Sequence, residues 1–168
     1  MSGQPSSILE GRLSRVVLDG EIPSSLSAIL EADRAQAVAD LMAENRFAPL
    51  TVKPDIAVRG PFVLHLAVQR GRLVFDIRLG NGTRITMVGL ALGPFRRLVK
   101  DYQLLVDSHI KAVEEGRAER IQAIDMGRRG LHDEGAELMR ARLEGKIAID
   151  FATARRLFTL VCVLYQRV

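Results

Sequence analysis

The sequence predicts an α+β fold, a single domain in which an antiparallel β-meander packs against a C-terminal helical layer. Three observations lead there. Residues 62 to 92 hold three stretches of alternating apolar and polar residues, separated by tight glycine-bearing connectors. From Pro94 onward, apolar residues recur at three- and four-residue spacing. The segment from Leu157 is apolar all round, as a helix at the centre of a domain must be.

Taken in order, MSGQPSS at residues 1 to 7 has the composition of a disordered tail, and 8 to 168 form the domain. RLSRVVLD at 12 to 19 is a short strand that extends the meander and ends at Asp19-Gly20. A helix follows over 26 to 45, with Leu30, Val38, Leu41 and Met42 on its core face and Asp33 and Asp40 pointing elsewhere. Residues 46 to 61, with Pro49, Pro54 and Gly60-Pro61, read as a surface loop. The meander strands are 62 to 69, 72 to 79 and 83 to 92. Arg70-Gly71 and Gly80-Asn81-Gly82 supply the positive-φ residues that hairpins need. His65 lies on the polar face. Phe95, Leu98, Val99, Tyr102, Val106, His109 and Val113 then make one stripe of a long helix that Gly116 interrupts. A second helix runs from Glu119 to the glycine segment and a third from Leu131 to Leu143. Lys146 to Ile149 is a short extended piece, and Asp150 caps a last helix over 151 to 166.

Length and composition narrow the function classes. A chain of 168 residues with 48% hydrophobic and 26% charged residues needs no disulfide or metal to fold. Neither a membrane-spanning run nor a signal peptide is evident, so the expectation is a cytoplasmic protein. Cys162 sits within LFTLVCVLY and reads as a buried thiol. The net charge is +4, and 20 of the 24 cations are Arg, whose planar fork suits phosphate and carboxylate. Arg-rich coding bias would produce the same imbalance. There is no Walker loop, no dinucleotide fingerprint, and no Cys or His pair at zinc spacing. No cofactor and no metal are expected.

The stretch AIDMGRRGLHDEG at 123 to 135 is the most unusual part of the chain. Each glycine inside a helix costs about 1 kcal/mol against Ala. Gly127 and Gly130 therefore mark either exposed backbone beside Arg128 and Arg129 or close helix packing, and the segment is either a helix interior or a loop. If it is a loop, helix, Gly-Arg-Arg-Gly, helix and a Lys-Ile-Ala-Ile piece resemble a KH module over 119 to 150, whose Gly-x-x-Gly loop clamps a nucleotide backbone. Arg96 and Arg97 stand in a first helical turn, where cations cost about 0.3 to 1 kcal/mol each unless an anion binds or Arg97 pairs with Asp101. Arg155-Arg156 is a third pair. His132, Asp133 and Glu134 are consecutive, so on a helix they diverge and make no joint site.

GPFRRLVKDY at 93 to 102, AIDMGRRGLHDEG and GKIAIDFATARRLFTLVCVL together resemble a family of uncharacterised alphaproteobacterial proteins, as do RLVFDI at 72 to 77 and AENRFAPL. The family pattern has His-Asn-Glu-Gly-Ser where this chain has His132 to Ala136, and a His near the position of Tyr165. Those departures argue against essential chemistry at Asp133, Ala136 or Tyr165. The resemblance points to Arg96, Arg97, Lys100, Asp101, Asp125, Gly127, Arg128, Arg129, Gly130, His132, Glu134, Arg155 and Arg156 as the residues to test. It transfers no activity. The residues favour a non-enzymatic binding or regulatory protein contacting an anionic partner, RNA or a ribonucleoprotein first. Arg96, Arg97, Lys100, Gly127, Arg128, Arg129, Gly130, His132, Arg155 and Arg156 would form the surface. The alternatives are a protein-interaction module in which the glycines serve packing, and an enzyme on an anionic small molecule with His132 as acid-base residue.

Overall fold

The alternating stretches fold into the predicted meander. The computed structural model describes residues 11–19, 27–50 and 60–165. The strands are β1 Leu13–Leu18, β2 Phe47–Pro49, β3 Phe62–Gln69, β4 Arg72–Leu79, β5 Arg84–Ala91 and β6 Ile147–Ile149. The helices are α1 Ala28–Ala43, α2 Arg96–Glu114, α3 Ala118–Leu143 and α4 Phe151–Leu164, with a 3₁₀ turn Gly93–Phe95 leading into α2. The main sheet has the order β1-β3-β4-β5. Arg70 (φ 51°) and Gly71 (φ 73°) both take the left-handed conformation that joins β3 to β4 in two residues. β1 extends the sheet as expected, but parallel to β3. The chain between them passes through α1, and a crossover of that length permits a parallel neighbour where a hairpin does not.

Period-two alternation places Leu64, Leu66, Leu73, Phe75 and Ile77 on one face, all completely buried. The opposite face pairs His65 with Asp76 across β3 and β4. His65 Nδ1 also lies 3.0 Å from Asp19 Oδ2. Asp76 accepts hydrogen bonds from Arg78 (2.7 Å) and Arg84 (3.0 Å).

The helical layer departs from expectation in two places. Residues 46 to 50 are not simply loop, because β2 pairs antiparallel with β6 and buries Phe47 and Ala48. The rest of the expected loop, 51 to 59, lies outside the described residues, as does the tail at 1 to 7. The second and third predicted helices are one, since α3 runs through the glycine segment for 26 residues without a break. Gly116 (φ 65°) does separate α2 from α3. α4 begins as predicted, with Asp150 accepting from the Thr153 N–H at 2.9 Å. From Leu157 to Val163 every residue is buried, so α4 is the axis against which α1 and α3 pack.

Candidate functional site

Continuity of α3 decides the fate of the Gly-Arg-Arg-Gly segment. Amides inside an α-helix already bond to carbonyls four residues back. No free amides remain to clamp a nucleotide backbone, and the KH-like reading fails on that ground. The packing explanation for the same glycines is not met either. A Cβ on Gly130 would meet no atom within 4 Å, and one on Gly127 would touch Leu105 at 3.4 Å. The glycine that packing requires is Gly135, where a Cβ would lie 2.3 Å from the Phe158 ring.

Within α3, Arg128 and His132 stand one turn apart and turn inward. Arg128 Nη2 lies 3.6 Å from Asp33 of α1 and 3.8 Å from Asp125. Asp33, expected on the polar face of α1, instead accepts a hydrogen bond from the hydroxyl of Tyr102, which is fully buried. The His132 ring sits 5.4 Å from that of Tyr102 and 6.5 Å, edge-on, from that of Phe158. Arg128 Nε and Nη1 and His132 Nε2 are enclosed and have no hydrogen-bond partner among the described residues. Burial, and then the charge of Arg155, pull the His132 pKa down to about 4, so the ring is neutral at physiological pH. Burial first, and then the bond to Asp33, push the Tyr102 phenol up. Burial likewise raises the Cys162 thiol, which is inert in the core as expected. His109 Nε2 lies 3.6 Å from Asp125.

Three of the other five arginines singled out in the sequence are engaged with carboxylates. Arg97 reaches Asp101 at 3.2 Å and Glu134 at 3.8 Å, Arg155 donates to Asp133 at 2.9 Å, and Arg156 lies 3.6 Å from Asp40. Arg129 is exposed, and among the described residues no carboxylate pairs with it. Arg96 and Lys100 are exposed too and line one concavity of about 130 Å³ with Val99, Gln103 and Tyr165. The ten predicted residues therefore separate into an interior pair, Arg128 and His132, a surface pair, Arg96 and Lys100, and a dispersed remainder. Sequence reasoning missed Asp33 and Tyr102 as the partners of the interior pair, and no local signal announces a contact across 69 residues. Among the described residues, no group of three His, Cys, Asp or Glu side chains is placed to hold a metal ion. No described helix is long and apolar enough to cross a membrane.

The architecture is that of an α+β chain whose sheet covers a helical layer and in which several of the arginines singled out by the sequence are tied to carboxylates. Residues 10–167 match the uncharacterised protein family UPF0262, and the chain belongs to that family. A UPF0262 protein of Granulibacter bethesdensis is 63% identical over 168 residues, covering 98% of this chain and 96% of the relative. One from Acidiphilium cryptum is 58% identical, covering 95% of each. One from Maricaulis maris is 48% identical, covering 94% of this chain and 96% of the relative. No solved structure matches the chain.

Proposed function

We propose that this protein is a non-catalytic binding protein that receives a phosphate-bearing partner on Arg96 and Lys100, and that RNA is that partner. One observation carries the reading. Two cations one helical turn apart line the same concavity, and among the described residues no carboxylate lines it with them. Arg96, the first residue of α2, also lies at the positive end of the helix dipole, an arrangement unfavourable when empty and reversed in sign by a bound anion. Arg129 offers a further unpaired cation, whereas Arg97, Arg155 and Arg156 have their charge answered within the chain. The enzyme reading draws little from the geometry, because His132 is held neutral in the interior and its neighbours Arg128 and Arg155 are turned to Asp33 and Asp133.

The test is fluorescence anisotropy with single-stranded RNA across a salt series, comparing wild type with Arg96→Glu/Lys100→Glu. Affinity is expected to fall steeply with salt, and the double variant to flatten the log–log slope by about 1.4, or about 0.7 for each lost phosphate contact. Binding indifferent to salt, or unchanged by the reversal of both charges, sinks the proposal.

A further inference from the structure

The last strand of the main sheet has one side unaccounted for. The Leu92 N–H donates to the Gly71 carbonyl at 3.1 Å, and the β4–β5 register runs on from there through Ala91 opposite Arg72. In an antiparallel ladder the groups of alternate residues face the same neighbour. Leu92, Leu90 and Val88 therefore bond to β4, and the N–H and C=O groups of Met87, Gly89 and Ala91 point away from it. Among the described residues, no strand pairs with that side of β5.

Sheet edges of this kind are ordinarily guarded by charge, proline, a bulge or cover. The opposite edge shows such cover, since Asn45 accepts from the Leu13 N–H at 2.7 Å and donates to its carbonyl at 2.9 Å. On β5 the guards are a register shift beside Ile77 and Arg78 at one end, where Arg84 is bound to Asp76, and the Arg72 side chain of β4, which reaches over Gly89. From Ile85 to Ala91 the strand carries no charge and no proline, and Met87 is 51% exposed.

We propose that a second copy of this chain docks on the free edge of β5, antiparallel and centred on Gly89, to make one continuous eight-stranded sheet. That register uses all three outward residues. Gly89 faces Gly89 of the second copy, and each Met87 faces an Ala91, so a long side chain lies beside a small one at both places. A methyl built on Gly89 would point out of the sheet face and meet the Arg72 side chain at 3.7 Å. The two Arg84 side chains fall at opposite ends, roughly 30 Å apart at about 3.3 Å per residue, and do not repel. The two-fold axis stands normal to the sheet and keeps both helical layers on one side. A contact built on one strand edge is smaller than the roughly 1,200 Å² at which stable specific interfaces begin, so association is expected to be weak and to depend on concentration.

Sedimentation equilibrium on the full chain over a concentration series tests this. Wild type is expected to move from 18.6 kDa toward twice that mass as concentration rises. Gly89→Pro removes an N–H that points away from β4, and Met87→Lys places a charge on the edge. Both variants are expected to stay at 18.6 kDa with the far-ultraviolet circular dichroism of wild type. A wild type that stays monomeric at every concentration overturns the proposal and leaves the edge to a different protein. A dimer that survives Met87→Lys in a folded variant overturns it equally, whatever Gly89→Pro does to folding.

Discussion

Two glycines of α3 should respond to alanine with opposite signs. At Gly135 the added Cβ would sit 2.3 Å from Cγ and Cδ2 of Phe158 and 2.5 Å from Cδ1. Those atoms lie at the root of a completely buried ring, stacked against Phe95 at 6.4 Å and met by His132, so the ring has no free end to swing aside. It must retreat by about 1 Å to reach ordinary contact, and overpacking of that kind costs about 1 to 3 kcal/mol. Helix propensity returns about 1 kcal/mol of this, leaving a net loss of up to about 2 kcal/mol. At Gly130 nothing lies within 4 Å, so the propensity gain stands alone and the variant should be more stable by about 0.5 to 1 kcal/mol. Urea denaturation followed by circular dichroism reads both, the midpoint falling for Gly135→Ala and rising for Gly130→Ala with the slope unchanged. Phe158→Leu should recover part of the Gly135→Ala loss, because the two changes share one contact. A Gly135→Ala protein that gains as much stability as Gly130→Ala, or a Gly130→Ala protein that loses stability, would refute the packing argument.

Acid should weaken the fold through His132. Its pKa falls from an ordinary 6.5 to about 4, so the unfolded chain takes up this proton first. The contribution is complete above about pH 6.5 and is lost as pH drops toward 4, and a shift of this size is worth about 3 kcal/mol. Urea midpoints between pH 7.5 and 4.5 should fall less steeply for His132→Leu than for wild type; equal slopes would count against the depressed value. At Asp76, burial works to raise the carboxyl, but the bonds and charges of Arg78 and Arg84 outweigh it and hold the pKa below its usual range. Asp76→Asn should therefore cost about 2 kcal/mol at pH 7, a deficit that shrinks as wild type is acidified through that pKa. No difference at pH 7 would show the cluster to be solvated. Tyr102→Phe takes the donor from Asp33 and should cost about 1 to 2 kcal/mol in thermal or urea unfolding, with an unchanged result ruling out a structural part for that bond.

What could be read from the chain followed from how locally each feature is determined. Two-residue alternation over eight positions, closed by Arg70-Gly71, leaves a hairpin little choice, and β3 and β4 appear at the predicted residues. Asp150 was recognisable as a cap because its partner, Thr153, is three residues away. β6 falls within the extended piece expected at 146 to 149, but β2 was read as loop, since a three-residue strand carries almost no periodicity and stands or falls by a partner about a hundred residues distant. The glycines of α3 mark the limit most clearly. Spacing singled out Gly127 and Gly130, whereas the tertiary structure singles out Gly135, which looks the same in sequence until Phe158 is brought against it. The propensity cost of the other two is a local term of about 1 kcal/mol each. A helix anchored to α4 through Ala136, Met139 and Leu143, all fully buried, can carry that cost without breaking. The same asymmetry governs the arginines. Adjacent residues on a helix point about 100° apart, so Arg128 goes to Asp33 in the interior while Arg129 stays in solvent, and Arg97 goes to Asp101 while Arg96 joins Lys100. A pair in the sequence is thus two residues with different fates. The unit available for binding is the i, i+4 pair that shares a face, which moves the weight of the anion-binding reading from Arg128 and Arg129 to Arg96 and Lys100.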